Sequence, residues 1–262
     1  MTEVLGRAVA GIFASGVVAF GALRAKSLST SGFVAAVVIG TMSVSAGWSW
    51  GILLVAHFIV ASALSRIGEG KKAGVAESIL EKGGHRDARQ VLANGALYGL
   101  AALAYQISDS RIWYLVGIGA LAASAADTWA TEIGTLATQT PVSIISGRAV
   151  PVGTSGGVTI IGWIAALGGA VFVAAGATLA RWPVPFTAVV LGGLAGALSD
   201  SLLGATLQAR RWCDACAKPT ERRVHNCGRP TRHAGGVAAF DNDGVNAVCS
   251  LVGALIAFLL SR

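Results

Sequence analysis

The chain has 262 residues, of which 54% are hydrophobic and only 13% are charged, and its formal net charge is +7. An ordinary soluble domain carries about 25% charged residues, so this composition excludes a soluble globular protein and indicates an integral membrane protein. Attraction to anionic membrane lipids and the usual excess of cations in cytoplasmic loops account for the positive charge. Nothing in the sequence indicates nucleic acid as a partner.

Apolar segments long enough to cross a hydrocarbon core of about 30 Å recur along the chain. Backbone groups in lipid must be satisfied within the segment, and the segments lack the strict alternation of barrel strands, so we predict helices. The sequence thus predicts an all-α fold, a polytopic bundle of about eight transmembrane helices in one integral membrane domain, residues 1–262. The predicted helices cover residues 5–23, 32–46, 47–64, 91–105, 112–131, 158–180, 186–207 and 236–260.

The loops between eight helices fall alternately on two sides of the membrane, and one side holds most of the 20 lysines and arginines. By the positive-inside tendency this side is cytoplasmic, so we expect both termini outside an inner or plasma membrane. Besides the short 24–31 connection, this side carries a basic loop (65–90), a Gly-rich loop (132–157) and a loop rich in Cys, His and Arg (208–235).

Three aspartates occur inside predicted membrane helices, all near the cytoplasmic side. With a rise of about 1.5 Å per residue, Asp127, Asp200 and Asp241 lie within about 10 Å of that surface. Glu132 and Asp243 lie near the same rim. An ionised carboxylate in lipid costs several kcal/mol, so such residues usually face a polar cavity and mark a functional site. A polar clamp between helices, or acids that reach the nearby surface, is the alternative.

Polar residues at helical spacing accompany these acids and predict a pocket that opens to the cytoplasm. The stripes are Thr128 with Glu132; Asp200 with Gly204 and Gln208; Arg86 with Gln90 and Asn94; and Asn242, Asp243 and Asn246.

Two sequence patterns suggest an internal repeat. In AADTWATEIG an acid precedes a threonine, at Asp127, and in LSDSLLGATLQ an acid precedes Ser201. Gly-Gly-Val also recurs, at 156–158 before the sixth helix and at 235–237 before the eighth. We predict that helices 5–6 and 7–8 form a parallel tandem repeat, which would place one aspartate from each copy in a pseudo-twofold site. The patterns are short and rich in Ala and Gly, so coincidence stays open.

The stretch SGRAVPVGTSGGVT combines an arginine with a run of small residues before a predicted helix. Unpaired N–H groups and the helix dipole at such a position bind anions, so the run suits phosphate, with Arg148 as a charge partner. An ordinary helix cap at Thr154 or Ser155 is the alternative. The run comprises Gly153, Thr154, Ser155, Gly156 and Gly157. Carboxylates nearby would bind Mg²⁺ together with substrate phosphates.

Four soft ligands occur close together in the loop after the seventh helix. They are Cys213, Cys216, His225 and Cys227, in the pattern CxxC followed by HxC. This set suits a tetrahedral structural Zn²⁺ site with no open position for catalysis, and a reducing compartment argues against disulfides. A redox pair or no bound partner are the alternatives.

Six stretches of the sequence together resemble an integral-membrane family of formerly unknown function. They are ADTWATEIG, GRAVPVGTSGGVT, SDSLLGATLQ, CxxC with HxC, DNDGVN and GGHRDARQVLANG. The family includes the plant phytyl-phosphate kinase and animal transmembrane protein 19. The resemblance runs from about residue 20 to the C-terminus.

The resemblance implies a kinase that converts a prenyl monophosphate to the diphosphate with a nucleoside triphosphate, CTP or ATP, and Mg²⁺. Membrane lipids and the prenyl phosphate would be its partners; no oligomeric state is predicted. The expected catalytic residues are Asp127, Glu132, Asp200, Asp241, Asp243 and Asn246. Of these, Asp127, Asp200 and Asp241 would bind Mg²⁺. Phosphates would contact Arg86, Gln90, Asn94, Arg148, Ser201, Gln208 and residues 153–157. A cytidylyl- or phosphatidyltransferase, and a proton-coupled transporter, are the alternatives.

Overall fold

The computed structural model describes residues 2–68, 70 and 85–262. Within these residues the chain forms eight long helices. They are α1 (Thr2–Arg24), α2 (Thr30–Ala46), α3 (Trp48–Arg66), α4 (Ala88–Ser108), α5 (Ile112–Gly134), α6 (Ile160–Leu179), α7 (Phe186–Thr206) and α8 (Asn242–Leu259). The predicted all-α membrane bundle is thereby confirmed. Most of the basic 65–90 loop lies outside the described residues.

Two small antiparallel sheets connect the later helices. Between α5 and α6, β1 (Val142–Ser143) pairs with β2 (Gly157–Val158). Between α7 and α8, a three-stranded ribbon has the order β4-β3-β5. Its strands are β3 (Arg210–Cys213), β4 (Lys218–Thr220) and β5 (Arg232–Gly235).

Side-chain caps fix where several helices begin. Asp87 accepts from the backbone N–H of Gln90, and the Gln90 side chain accepts from the N–H of Asp87, which forms a capping box at α4. Thr159 caps α6 and Asp241 caps α8 through their side-chain oxygens. These caps satisfy N–H groups that have no partner inside the helix.

Helix α5 is the centre of the bundle. Ten consecutive residues, Gly117 to Ala126, are buried, and the helix contacts α3, α4, α6, α7 and α8. Small residues permit this: a Cβ atom on Gly119 would lie 2.6 Å from the carbonyl oxygen of Gly253 on α8. With little hydrophobic drive between helices in lipid, such close packing of small residues holds them together.

The two ends of the bundle differ, and we name them by their composition. At the acidic end α1, α3, α5 and α7 finish while α2, α4, α6 and α8 begin. Contacts across this end include a bridge between Leu28 and Arg86 and a hydrogen bond from Ser65 to Glu132. At the aromatic end, Trp50 packs against Tyr98, Tyr105, Tyr114 and Trp182. Both chain termini therefore lie at the aromatic end.

Six of the described helices are long and apolar enough to cross a membrane by length and composition: α1, α3, α4, α6, α7 and α8. Helix α2 has 17 residues, and α5 has 23 but carries Asp127 and Glu132 near its end.

The predicted starts of the sixth and eighth helices lie too early in the chain. The eighth helix begins at Asn242 and not at residue 236, so Asp241 caps the helix and does not lie inside it. The sixth begins at Ile160, after the short strand at Gly157–Val158, and its cap is Thr159 and neither Thr154 nor Ser155. In both places an apolar Gly-Gly-Val run precedes the helix, so the hydrophobic segment begins before the helix does. The backbone of that run is extended or forms a turn.

Candidate active site

Asp127 on α5 and Asp200 on α7 form a carboxyl pair at the acidic end. Their side chains lie next to each other, within reach of a shared hydrogen bond. Oδ2 of Asp200 is buried and has no hydrogen-bond partner among the described residues. Two carboxylates this close repel each other unless a proton or a cation lies between them. The pair is therefore a candidate cation site and the centre of the candidate active site.

Small residues one turn earlier explain why the pair forms. A Cβ atom on Gly196 would lie 2.3 Å from the Cβ of Ala123, so glycine is needed for α5 and α7 to approach this closely. Because both helices run toward the acidic end, the residues four positions later also face each other. Those residues are Asp127 and Asp200.

A third carboxylate, Glu221, approaches the pair from the ribbon. Glu221 is 8% exposed and accepts a hydrogen bond from the Ser155 hydroxyl. Ser155 lies against Gly204, which is one helical turn after Asp200 on α7, so Glu221 is held near the face of α7 that carries Asp200. The sequence reasoning missed this residue, because Glu221 lies within a charged stretch that resembles a solvated loop. The short spacing between its Cys and His neighbours is the signal that could have indicated an ordered segment.

The Gly-rich loop lies directly on the end of α7. Gly156 has a φ of +77°, and a Cβ atom on it would lie 2.8 Å from the carbonyl oxygen of Ser201 and 2.4 Å from the Cβ of Ala205. Glycine is therefore required both by the backbone conformation and by the contact. The loop thus brings Ser155 beside the candidate site. Gly153 and Thr154 form the preceding turn, where the N–H of Gly157 donates to the carbonyl of Thr154.

Arg148 does not join this contact. It follows a turn whose backbone is held by a hydrogen bond from the N–H of Ser143 to the Arg148 carbonyl, at 2.8 Å, and its side chain is exposed.

Arg86 and Glu132 belong to a second polar group at the acidic end. The guanidinium of Arg86 donates to the hydroxyls of Ser62 and Ser65, both at 3.0 Å. Ser65 donates in turn to Glu132 at 2.6 Å. Glu132 thus contacts α3 through Ser65, which also accepts from Arg86.

Asp241 and Asp243 form a third group with Arg89. The guanidinium of Arg89 lies 2.8 Å from Asp241 and 3.7 Å from Asp243. Asp241 also caps α8 by accepting from the N–H of Gly244 at 3.2 Å. Asn246 follows one turn after Asn242 on the same helix. The role of Arg89 as a partner of these acids was not predicted.

A largely apolar cavity of about 120 Å³ lies between α1, α2, α3, α4 and α5. Side chains such as Ile39, Leu54, Val55 and Phe58 line its interior. Its polar lining contains the predicted stripe of Arg86, Gln90 and Asn94, together with Ser124 and Thr128. Asn94 is oriented by a hydrogen bond from Ser124 at 3.0 Å. Thr128 in this lining directly follows Asp127 of the carboxyl pair.

A small polar pocket lies under the ribbon. Its lining includes Gln208, Arg211, Glu221, Arg223 and Asp241. Glu221, which approaches the pair from the ribbon, is part of this lining. The apolar cavity with its cationic edge and the polar pocket with its two arginines thus each contain one residue near the pair, Thr128 and Glu221.

The four predicted zinc ligands converge at the tip of the ribbon. One ligand atom from each of Cys213, Cys216, His225 and Cys227 lies within 4.8 Å of all the others. The Sγ atoms of Cys213 and Cys227 are 3.7 Å apart. A hydrogen bond with the His225 ring, and another with the Arg229 backbone, lower the pKa of the Cys227 thiol to about 6. Because a thiolate is the form that binds metal, this donor set fits a tetrahedral zinc ion.

The fold and the buried polar groups define a polytopic α-helical integral membrane protein with an intramembrane acidic site. A family model for integral membrane proteins, DUF92, matches residues 13–254. The chain therefore belongs to the DUF92 family of integral membrane proteins.

Curated relatives align over most of this chain. Protein PGR from Arabidopsis thaliana is 33% identical over 97% of this chain and 95% of its own length. Protein VTE6, chloroplastic, from the same plant is 28% identical over 92% of this chain and 67% of its own length. An uncharacterized membrane protein from Methanocaldococcus jannaschii is 30% identical over 71% of this chain and 77% of its own length. No solved structure matches the chain.

Proposed function

We propose that this protein is a membrane isoprenoid-phosphate kinase, which converts a prenyl monophosphate to the diphosphate with a nucleoside triphosphate and Mg²⁺. The observation that carries the proposal is a carboxyl pair next to residues of two different cavities: Thr128 of the apolar cavity directly follows Asp127, and Glu221 of the polar pocket approaches the pair from the ribbon. A kinase for a lipid phosphate needs this arrangement, because one substrate is half apolar and the other is a polyanion. The resemblance to plant phytyl-phosphate kinase and the similarity to VTE6 support the same chemistry.

The apolar cavity fits the lipid substrate. Its interior would hold the isoprenoid chain, while Arg86, Gln90 and Asn94 at its polar edge would donate to the phosphate. The Arg86 guanidinium donates to the hydroxyls of Ser62 and Ser65 and to the carbonyl of Ala61. Cation-assisted hydrogen bonds of this kind are the strong contacts of phosphate sites. The phosphate would then lie toward Thr128 and the carboxyl pair.

The carboxyl pair fits a magnesium ion. Mg²⁺ prefers oxygen ligands and is usually bound by one or two carboxylates together with substrate phosphates. Asp127 and Asp200 supply such oxygens, one of them buried without a hydrogen bond from the described residues. When bound there, Mg²⁺ would draw negative charge from the transferring phosphoryl group.

The reaction needs little proton transfer, because the acceptor phosphate is already an anion. An oxygen of the lipid phosphate attacks the γ-phosphorus of the nucleotide, and the bond from that phosphorus to the β–γ bridging oxygen breaks. The products are the lipid diphosphate and a nucleoside diphosphate. The protein contributes by holding both phosphates in line, with Arg86 on the acceptor and the loop at Ser155 near the donor.

The acidic end is proposed to face the cytoplasm. Most of the positive charges of the chain lie in the loops of this end, which the positive-inside tendency places in the cytoplasm. Nucleoside triphosphates would then reach the polar pocket directly, and both termini would lie outside. A tag at either terminus should therefore be accessible to protease in intact cells.

We further propose that the Cys/His cluster binds one structural zinc ion. Purified protein should contain one zinc per chain by elemental analysis, and Cys213→Ser should lose it. Cys249→Ser is the matched control, because this cysteine is buried in α8 and lies outside the cluster. Equal zinc content in the two variants would contradict the assignment.

The direct test is a transfer assay in detergent with γ-labelled ATP or CTP, Mg²⁺ and a panel of phytyl, geranylgeranyl and farnesyl monophosphates. We expect label in a prenyl diphosphate, and loss of that label with Asp200→Asn. Asp109→Asn is the control, because Asp109 ends α4 at the aromatic end with a φ of 50°, which asparagine also adopts. Release of pyrophosphate would instead indicate a cytidylyltransferase. No transfer by folded protein across the panel would overturn the proposal and favour transport.

The lipid side can be tested separately. Val55 lines the cavity, whereas Ile52 on the same helix is 66% exposed. Val55→Phe should raise the KM for the lipid phosphate and leave the KM for the nucleotide unchanged. Ile52→Phe should change neither, and equal effects of the two substitutions would argue against this cavity as the lipid site.

A further inference from the structure

The β3–β5 ribbon is anchored to the acidic end at its base and carries the Cys/His cluster at its tip. In the β3–β4 hairpin, Cys213 pairs with Lys218 near the tip, and Arg211 pairs with Thr220 near the base. Glu221 follows directly after Thr220. The hairpin that carries Cys213 and Cys216 near its tip therefore places Arg211 and Glu221 near its base, beside the bundle.

The polar pocket under the ribbon contains a buried donor that lacks a partner. Gln208 is 2% exposed and lines the pocket, and its Nε2 has no hydrogen-bond partner among the described residues. A buried amide donor without a partner costs about 1–3 kcal/mol, so a protein keeps one mainly where a ligand satisfies it. This donor requires an acceptor, such as a phosphate oxygen.

Two loops hold Gln208 at this place. Gly236 has a φ of +72°, and a Cβ atom on it would lie 2.0 Å from the carbonyl oxygen of Gln208. The N–H of Val237 donates to the carbonyl of Leu207 at 2.8 Å. The end of α7 is thus fixed between the loop before α8 and the Ser155 loop, and the amide of Gln208 is built into the pocket wall.

The charges around the pocket favour a polyanion with a metal ion. Arg211 and Arg223 line it, and Arg89 reaches Asp241 on its wall at 2.8 Å. The carboxylates on the wall are Asp241 and Glu221, and the charge of Glu221 acts on Asp200. Three cations and an amide donor suit phosphate oxygens, while carboxylates beside the Asp127–Asp200 pair suit a divalent cation that those phosphates carry.

We propose that the ribbon forms one wall of a binding pocket for the polyphosphate of a magnesium nucleoside triphosphate. Arg211, Arg223 and Gln208 donate to the phosphates, and Glu221 adds a carboxylate to the metal side. This inference rests on the proposed kinase function, because it locates the phosphate donor of that reaction. It assigns to the Cys/His loop a substrate-binding role, in addition to any structural metal at its tip.

The experiment measures binding of a fluorescent ATP or CTP analogue with Mg²⁺ to purified full-length protein, in the absence of lipid phosphate. Arg223→Ala removes an exposed side chain and leaves the fold intact, and Arg211→Lys keeps the charge while losing the planar guanidinium. Since a hydrogen bond to a charged group contributes about 1.5–3 kcal/mol, Arg223→Ala should raise the Kd about tenfold or more. Glu221→Gln should weaken the dependence of binding on Mg²⁺.

Arg229→Ala is the matched control, because it removes the same charge from an exposed position of the same loop that does not line the pocket. Unchanged binding in this control, with weaker binding in the Arg223 and Arg211 variants, supports the inference. If all variants bind the nucleotide as tightly as the wild-type protein, the proposed nucleotide site is wrong, whereas the kinase proposal is unaffected. No nucleotide binding by folded wild-type protein would overturn both.

Discussion

The two ends of this bundle use opposite chemistry to join the same helices. At the aromatic end, Trp50 is 1% exposed and lies between the rings of Tyr98, Tyr114 and Trp182, with ring centroids 4.6–5.5 Å apart. At the acidic end, carboxylates, arginines and buried hydroxyls meet, and Oδ2 of Asp200 and Nε2 of Gln208 have no hydrogen-bond partner among the described residues. Stability is therefore expected to reside mainly at the aromatic end, and activity at the acidic end. Substitutions at the two ends should separate these properties.

The largest effect on stability is expected from Trp50→Ala. Removing this buried ring leaves a cavity among four aromatic neighbours, which should lower the free energy of unfolding by about 3–5 kcal/mol. Denaturation in mixed detergent micelles would measure the loss. Trp48→Ala is the control, because Trp48 is 52% exposed and should lose much less. A similar loss in both variants would mean that the aromatic cluster is not the stabilising element.

The largest effect on activity is expected from the carboxyl pair. Asp127→Asn and Asp200→Asn should each lower kcat about 100- to 1000-fold, equivalent to about 2.7–4 kcal/mol, because each removes a charge that acts in the transition state. Neither should lower the thermal unfolding temperature, since repulsion between the two carboxylates is relieved. Unequal kcat values, with one variant near wild type, would contradict the paired site and the predicted tandem repeat.

A smaller effect is expected from Arg86→Lys. Lysine keeps the charge but carries its three donors on one nitrogen in place of the planar guanidinium, so we expect it to lose contacts with Ser62, Ser65 or the lipid phosphate, and the KM for the lipid phosphate should rise about tenfold. Arg66→Lys is the control: Arg66 lies at the same end but donates to Ala25 and Ser27 at the end of α1. Steady-state kinetics with varied lipid phosphate would show the difference.

The smallest effect is expected at the cap of α8. Asp241→Ala loses the bond to the N–H of Gly244 and should cost about 1 kcal/mol of stability. Asp241→Asn keeps a capping oxygen but loses the charge that faces Arg89. If the two variants are equally stable, the cap contributes nothing measurable. Comparing their Mg²⁺ requirement in the transfer assay would show whether Asp241 also takes part in metal binding.

The helices could be predicted closely because long apolar runs determine them locally. Predicted and observed bounds of α7 differ by one residue at its C-terminal end. The carboxyl pair could also be predicted from the sequence, since the acid followed by Thr or Ser recurs. In the structure, Ala123 and Gly196 are separated by the same number of residues as Asp127 and Asp200, and they are also in contact. The tandem repeat itself stays a prediction.

The rest of the site depends on contacts between segments distant in sequence. Glu221 is buried because Ser155, on another loop, donates to it, and no local pattern reveals this. Asp241 was placed inside a helix because Val237, Ala238 and Ala239 extend the apolar run. In the structure, the left-handed conformation of Gly236 and the bond from Val237 to Leu207 turn this segment across the end of α7.

The central position of α5 has a consequence for the synthesis of the protein. Ribosomes make α5 before α6, α7 and α8, yet these three helices cover much of its surface and α7 supplies the partner of Asp127. During biosynthesis, α5 therefore remains without these three packing partners, and Asp127 remains without Asp200, until the second half of the chain has been made. Correct assembly depends on keeping that polar end near the membrane surface until α7 arrives.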